Sequence, residues 1–315
     1  MAVILCLYKT MMKQLEKCNL CHRNCGINRS DNQSGYCGMT NEIKIARAAL
    51  HFWEEPCISG TEGSGAVFFS GCSLRCIYCQ NHDIAIGERG IAITIDRLVE
   101  IFLELQEKGA NNINLVTPGH FIPQIKEALI RAKEIGLSVP IVYNTGSYET
   151  VEALQMLDGL IDIYLPDFKY MDASLAKKYS NAPDYPQVAK AAIDEMVRQT
   201  GPAVFAGEEG DSLMKRGTIA RHLVLPGELE NSKQVLKYLY DTYGNQIYIS
   251  LMNQYTPLLE GNEYPNLKRK VTEAEFDEVF DYLCKIGIEQ GYVQEGDTAE
   301  ESFIPSFDGE GVFKL

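Results

Sequence analysis

The 315-residue chain carries 29 basic and 43 acidic residues, a formal charge of −14, and is 45% hydrophobic. That supports a sizeable core in one large or two small domains; the acidic balance argues against nucleic acid as a partner and leaves room for a protein with a basic patch. Ten cysteines would suit a disulfide framework in a short secreted chain, but nine of them precede residue 80, at C-x2-C and C-x3-C spacings that suit metals.

Residues 1–60 read as a cysteine-rich, metal-binding lead. Its apolar start, residues 1–8, has no charged leader and no small-residue cleavage site. No run of the chain approaches the ~20 apolar residues of a membrane span. A reducing, cytoplasmic setting without membrane contact is expected. Cys18, Cys21, Cys25 and Cys37 follow at C-x2-C-x3-C-x11-C. Four thiolates in one place signal a second metal site, either zinc or a further iron–sulfur cluster; free reduced thiols are the plain alternative. His22 could replace one ligand. Cys6 and Cys57 have no partner by spacing, and a lone cysteine is usually a small buried hydrophobe.

Residues 61–290 alternate strands with helices. Strands are predicted at 66–69, 113–116, 139–143, 160–165, 219–225 and 247–251. A helix over 94–108 is capped by Thr94 and stopped by Gly109. Pro123 opens the next, with an apolar stripe of Ile125, Ala128, Leu129, Ala132 and Ile135. Further helices are expected near 150–157, 171–198, 232–243 and 273–290, with a hairpin insertion in the turn-rich stretch 201–217. Residues 291–315 form an extended, acidic tail. Six such units with near-continuous apolar strands imply an α/β fold with a parallel sheet covered by helices. Functional groups then belong at the carboxyl ends of the strands.

The first strand runs straight into Gly71-Cys72-Ser73-Leu74-Arg75-Cys76-Ile77-Tyr78-Cys79-Gln80-Asn81, a C-x3-C-x2-C loop. Three thiolates serve a four-iron cubane incompletely, so one iron keeps an open face for chemistry. The alternative is structural zinc, which wants four protein ligands where this loop offers three.

The loop resembles the signature of the radical SAM (S-adenosylmethionine) superfamily, down to the aromatic Tyr78 before the last cysteine. The resemblance implies a partial (β/α)6 TIM-like barrel and a 4Fe-4S cluster held by Cys72, Cys76 and Cys79. The cluster's open iron would take the amino and carboxylate groups of SAM. An electron from a flavodoxin- or ferredoxin-type donor would then yield methionine and a 5′-deoxyadenosyl radical.

The resemblance also assigns roles to strand ends. Asn114 and Thr117 are candidates to meet the SAM amine, since Thr117-Pro118-Gly119-His120 lacks the family's glutamate; His120 could be a base or a substrate contact. Asn144 is the candidate for a polar contact to SAM. Asp167-Phe168-Lys169 resembles the Asp-x-Lys of glycyl-radical-enzyme activating enzymes, in which the lysine pairs with the SAM carboxylate and the aspartate serves a small cation site. Arg221, in a run ending Pro226-Gly227, could hold that carboxylate or a substrate backbone, with His222 beside it. Tyr255 offers a flat face for adenine, and Asn253 could read its edge. These features, with the lead and His51-Phe52-Trp53-Glu54-Glu55-Pro56-Cys57, look like the pyruvate formate-lyase activating enzyme branch and its PflX-like group. Three readings follow: hydrogen abstraction from a protein partner such as a glycyl-radical enzyme, radical chemistry on a small molecule or other macromolecule, or a non-catalytic metal-binding protein.

Overall fold

The computed structural model describes residues 15–208, 212–259, 263–294 and 305–314; Cys6 and residues 295–304 of the tail lie outside them. The strands are β1 (Ile43–His51), β2 (Ser64–Phe69), β3 (Ile91–Ile93), β4 (Ile113–Val116), β5 (Ile141–Thr145), β6 (Ile163–Pro166), β7 (Val204–Ala206), β8 (Leu213–Leu223), β9 (Tyr248–Met252) and β10 (Gly291–Val293). They form one sheet in the order β10-β9-β8-β6-β5-β4-β2-β1-β3. From β2 to β10 every neighbour pair is parallel. The six expected barrel strands are β2, β4, β5, β6, β8 and β9, in chain order, and the sheet stays open between its edges β10 and β3.

Backbone hydrogen bonding runs past both expected domain boundaries. From the lead, β1 pairs antiparallel with β2 and β3. On the far side β10 extends the sheet beyond β9. Tail residues return to β1, where Ala48 N donates to Glu310 O at 2.9 Å.

Helices form where capping and periodicity allow. Thr94 Oγ1 accepts from Arg97 N to start Ile95–Glu107, and Thr150 and Thr272 cap Val151–Gln155 and Glu273–Ile286 in the same way. Ile122–Glu134 carries Pro123 in its first turn, but Ile135 falls at its C-cap and is 63% exposed, so the apolar stripe ends at Ala132. The stretch 171–198 is two helices, Ala173–Ser180 and Tyr185–Thr200, because Asn181 turns left-handed at φ 47° ahead of Pro183. The expected hairpin in 201–217 is the antiparallel pair β7–β8.

Within the barrel, side chains alternate strictly. The inward row on β5 is Val142 and Asn144; on β6 it is Ile163, Leu165 and Asp167; on β8 it is Ile219, Arg221 and Leu223. At the strands' amino ends this interior is apolar: Val142, Ile163, Leu165 and Ile219 pack with Met214, Cys57 and Ile58. Cys57 and Ile58 belong to the short helix Pro56–Ser59. The chain leaving β1 therefore fills the amino end of the barrel.

Candidate active site

Every residue of β2 is buried, and the strand delivers the three-cysteine loop to its carboxyl end. Gly71 makes that exit with φ +88°, where an added Cβ would lie 2.8 Å from the Cys37 carbonyl oxygen and against the Met39 side chain. Cys72 Sγ accepts from Leu74 N at 3.4 Å and Cys76 Sγ from the Ser180 hydroxyl at 3.0 Å. Burial pushes the Cys79 thiol up to about 12, and the charges of Cys76 and Cys72 add to the rise. Cys72 is raised by burial and by Cys76. Thiols that hold their protons this firmly and repel each other as thiolates are relieved when a cationic metal replaces the protons.

Cys72, Cys76 and Cys79 open on a cavity of about 660 Å3, which Thr117, Asn144, Asp167, Lys169, Arg221 and Tyr255 also line. Thr117 stands at φ +56°, strained for a β-branched residue. At the centre is a buried ion network. Arg221 Nε donates to Asp167 Oδ1 at 2.9 Å, Nη1 to Glu54 Oε2 at 3.1 Å and Nη2 to Asn144 Oδ1 at 2.6 Å. Lys169 Nζ donates to Asp167 Oδ2 at 2.7 Å. Burial would raise the Asp167 carboxyl, but Arg221 and Lys169 more than offset it and the group ends below its usual range. Burial would lower Lys169, and Asp167 reverses that. The Tyr255 ring lies 6.2 Å from Tyr78 in an edge arrangement, its hydroxyl tied to Leu267 O.

Other sequence candidates stand elsewhere. Asn253, just past the end of β9, does not line the cavity, although Met252 and Gln254 on either side of it do. Asn114 is fully buried outside the cavity lining, close enough to Glu54 to lower its carboxyl. His120 is 6% exposed, with Nε2 2.6 Å from Ser70 O and its carbonyl bound by Arg29; burial holds its pKa down to about 3, so it is a neutral structural group. His222 is likewise buried, between Phe168 O and the Ser232 hydroxyl.

Sequence reasoning missed two acids as site residues. Glu54 and Glu55 line the same cavity, and burial raises both carboxyls although Arg221 opposes it. They lie in the 51–57 run that carried part of the family resemblance, but as individual residues they read only as a pair of acids before Pro56, a pattern that also suits a solvated helix start.

The lead folds against the cluster loop. Arg23 Nε donates to Ser73 O at 2.7 Å, and its guanidinium lies 3.9 Å from the Tyr36 ring centroid. Cys18, Cys25 and Cys37 lie near enough to Cys21 to raise its thiol, which burial chiefly pushes up to about 12. Cys25 Sγ accepts from Tyr36 N at 3.4 Å. His22 stands beside the Tyr148 ring, 6.0 Å between centroids. Cys57 is a buried thiol within the apolar interior. Among the described residues no three His, Cys, Asp or Glu side chains converge tightly enough for a single metal ion; a cubane spreads its thiolates over separate irons.

A family model described as the radical SAM superfamily matches residues 66–239. An uncharacterised protein of Methanocaldococcus jannaschii is 25% identical over 285 residues, 88% of this chain and 77% of that protein. The pyruvate formate-lyase-activating enzyme of Staphylococcus aureus is 24% identical over 181 residues, 54% of this chain and 65% of that enzyme. The solved structure of a radical SAM methyltransferase from Sphaerobacter thermophilus superposes with a TM-score of 0.50 at 14% identity, covering 73% of this chain and 66% of that one, a likeness of fold.

Proposed function

We propose, from the premise that this chain belongs to the radical SAM superfamily, that it binds a 4Fe-4S cluster through Cys72, Cys76 and Cys79 and takes a hydrogen atom from a protein substrate, as in glycyl-radical enzyme activation. The observation that carries the reading is that the three thiols and the Asp167–Lys169–Arg221 network open on one cavity. The residues present fit the group: three thiols on one loop, two cations in the cavity for a carboxylate, and an aromatic wall for adenine. When bound, cluster and SAM supply a 5′-deoxyadenosyl radical. The chain's own part is to orient and to exclude water. Lys169 and Arg221 hold a carboxylate while Asp167 fixes both, Asn144 fixes the Arg221 fork, Thr117 presents its strained backbone, and Tyr255 gives a flat face.

The protein-substrate reading is supported by the similarity to the Staphylococcus aureus activating enzyme, whose name states a protein target. A PflX-like placement within that branch rests on the lead and on residues 51–57. In this reading Cys18, Cys21, Cys25 and Cys37, which lie near one another, bind a second cluster or zinc; zinc would require them to draw closer, since among the described residues no three such side chains converge on a single ion. A flavodoxin or ferredoxin would deliver electrons in a cytoplasmic setting. Among the described residues no helix is long and apolar enough to cross a membrane.

The test uses anaerobically reconstituted protein. Iron, sulfide and zinc are counted, then dithionite and SAM are added and 5′-deoxyadenosine is measured. About four irons with zinc, or about eight without it, distinguishes the two lead metals. Cys76→Ala is expected to abolish 5′-deoxyadenosine; full production by that variant refutes the cluster assignment. A glycyl radical signal on a co-expressed partner is the readout for the substrate class.

A further inference from the structure

The inner end of the cavity is more acidic than its own bases neutralise. Glu54 and Asp167 share Arg221 and Lys169, two acids against two bases. Glu55 is a third carboxyl, 7% exposed, and its Oε2 has no hydrogen-bond partner among the described residues. Ser250, 1% exposed on the neighbouring wall, faces Glu55 closely enough to lower its carboxyl, and the Ser250 Oγ completes no hydrogen bond to any other group among the described residues. Both residues line the cavity.

The segment carrying Glu55 is rigidly held. Glu54 N donates to Ser59 Oγ at 3.1 Å and Ile58 N to Glu55 O at 2.8 Å. From the loop before β4, Asn111 Nδ2 donates to Ser59 O at 2.7 Å and Asn112 Nδ2 to Ile58 O at 2.8 Å. A carboxyl buried without a full set of partners is costly to the fold. It occupies a barrel interior that side-chain packing alone would fill. The stapled backbone keeps it facing a cavity rather than letting it turn to solvent.

We propose that Glu55, with Ser250 beside it, is the receptor for a cationic nitrogen, an ammonium or guanidinium, at the inner end of the substrate. This rests on the reading of the cavity as the radical SAM active site. The cation is the substrate's and not SAM's because of position. The cysteine loop lies beyond the carboxyl end of β2, whereas Glu55 rises from the plug at the barrel's amino end, with Ser250 level with Arg221 on the adjacent strand. On the outer part of the same wall Phe52 and Trp53 are 50% and 62% exposed, an aromatic surface for the body of the substrate.

The experiment measures binding by calorimetry to reconstituted protein saturated with SAM. The probes are acetyl-Gly-Arg-Gly-amide against its citrulline counterpart, and acetyl-Gly-Lys-Gly-amide against its Nε-acetyl counterpart. Agmatine serves as a free cation. At least one cationic probe is expected to bind about tenfold or more tighter than its neutral twin, the scale of one desolvated charge contact. Glu55→Gln is expected to bring each pair within about twofold. A peptide preference that agmatine does not share supports a side chain of a protein as the source; agmatine binding as well as the peptides supports a small molecule. Equal affinity within both pairs for the unaltered protein overturns the proposal even if the variant fails to fold. So does a preference that Glu55→Gln leaves intact, or one seen only without SAM. 5′-Deoxyadenosine formation by the same unaltered preparation, without probe, reads the cluster assignment separately.

Discussion

Replacing Arg221 with methionine keeps the length of the side chain and removes the only cation that touches Glu54 among the described residues. The side chains of Arg221 and Glu54 are 12% and 10% exposed, so water cannot take over. Asp167 keeps Lys169 at 2.7 Å, so its loss is partial. The cost is therefore dominated by one uncompensated buried carboxylate, about 3–5 kcal/mol at neutral pH. The sign of the pH dependence follows. The Glu54 carboxyl is already raised in the folded protein by burial, with Arg221 opposing. Without Arg221 it rises further, so the folded variant binds a proton more readily than the unfolded chain. Its penalty is largest at high pH and shrinks as pH falls toward the unfolded value near 4.3. Urea unfolding of both proteins in the same metal state, at pH 8 and pH 5.5, measures this as a shift in midpoint at constant slope. A penalty below about 1 kcal/mol, or one equal at the two pH values, refutes the argument that Glu54 is buried, charged and held by Arg221.

Gly71→Ala must accept a left-handed residue and a Cβ pressed on Met39 and the Cys37 carbonyl. A loss of about 2–4 kcal/mol with reduced iron content on reconstitution is expected; unchanged iron loading would show that the loop tolerates the shift. His222 is held neutral by burial, its pKa lowered to about 4. Because the unfolded chain takes up that proton first, stability falls as pH drops from about 6.5 to about 4, by up to ~1.4 kcal/mol per pH unit. His222→Gln keeps partners for Phe168 O and Ser232 and is expected to flatten that limb; an unaltered profile means the acid sensitivity comes from His51 and His120, which are also lowered by burial.

The six parallel barrel strands were legible because each is a short apolar run ending in polar residues, whereas β1, β3 and β10, which extend the sheet at its edges, were not read from the sequence. Asp167 and Lys169 were legible for a related reason, since a charge immediately after such a run sits at a strand's carboxyl end; Arg221 lies within β8 and was legible only through the family resemblance of the run ending Pro226-Gly227. Asn253 stands in the loop just past β9, where side-chain direction follows no period that a sequence could reveal. The break between Ala173–Ser180 and Tyr185–Thr200 had its signal in Asn181 and Pro183, and the apolar periodicity on either side concealed it.

Glu54 and Glu55 were illegible for a deeper reason. Glu54 meets Arg221 across 167 residues of chain, and the contact exists only because β1 runs antiparallel to β2 and drops its following segment at the barrel's amino end. Nothing local to that segment distinguishes a buried acid pair from a solvated one. The structure makes the distinction through neighbours. Cys57 and Ile58, two and three positions after Glu55, pack into the interior layer with Val142, Ile163 and Ile219, so the residues just before them can only rise into the barrel. An apolar pair there would have completed the core at lower cost. Local choices that contradict the packing around them concentrate where a chain binds or reacts. The same logic separates these acids from His120 and His222. Those histidines are also buried and polar, but each ring has its backbone or hydroxyl partner and neither lines the cavity of the cysteine loop, so packing accounts for them.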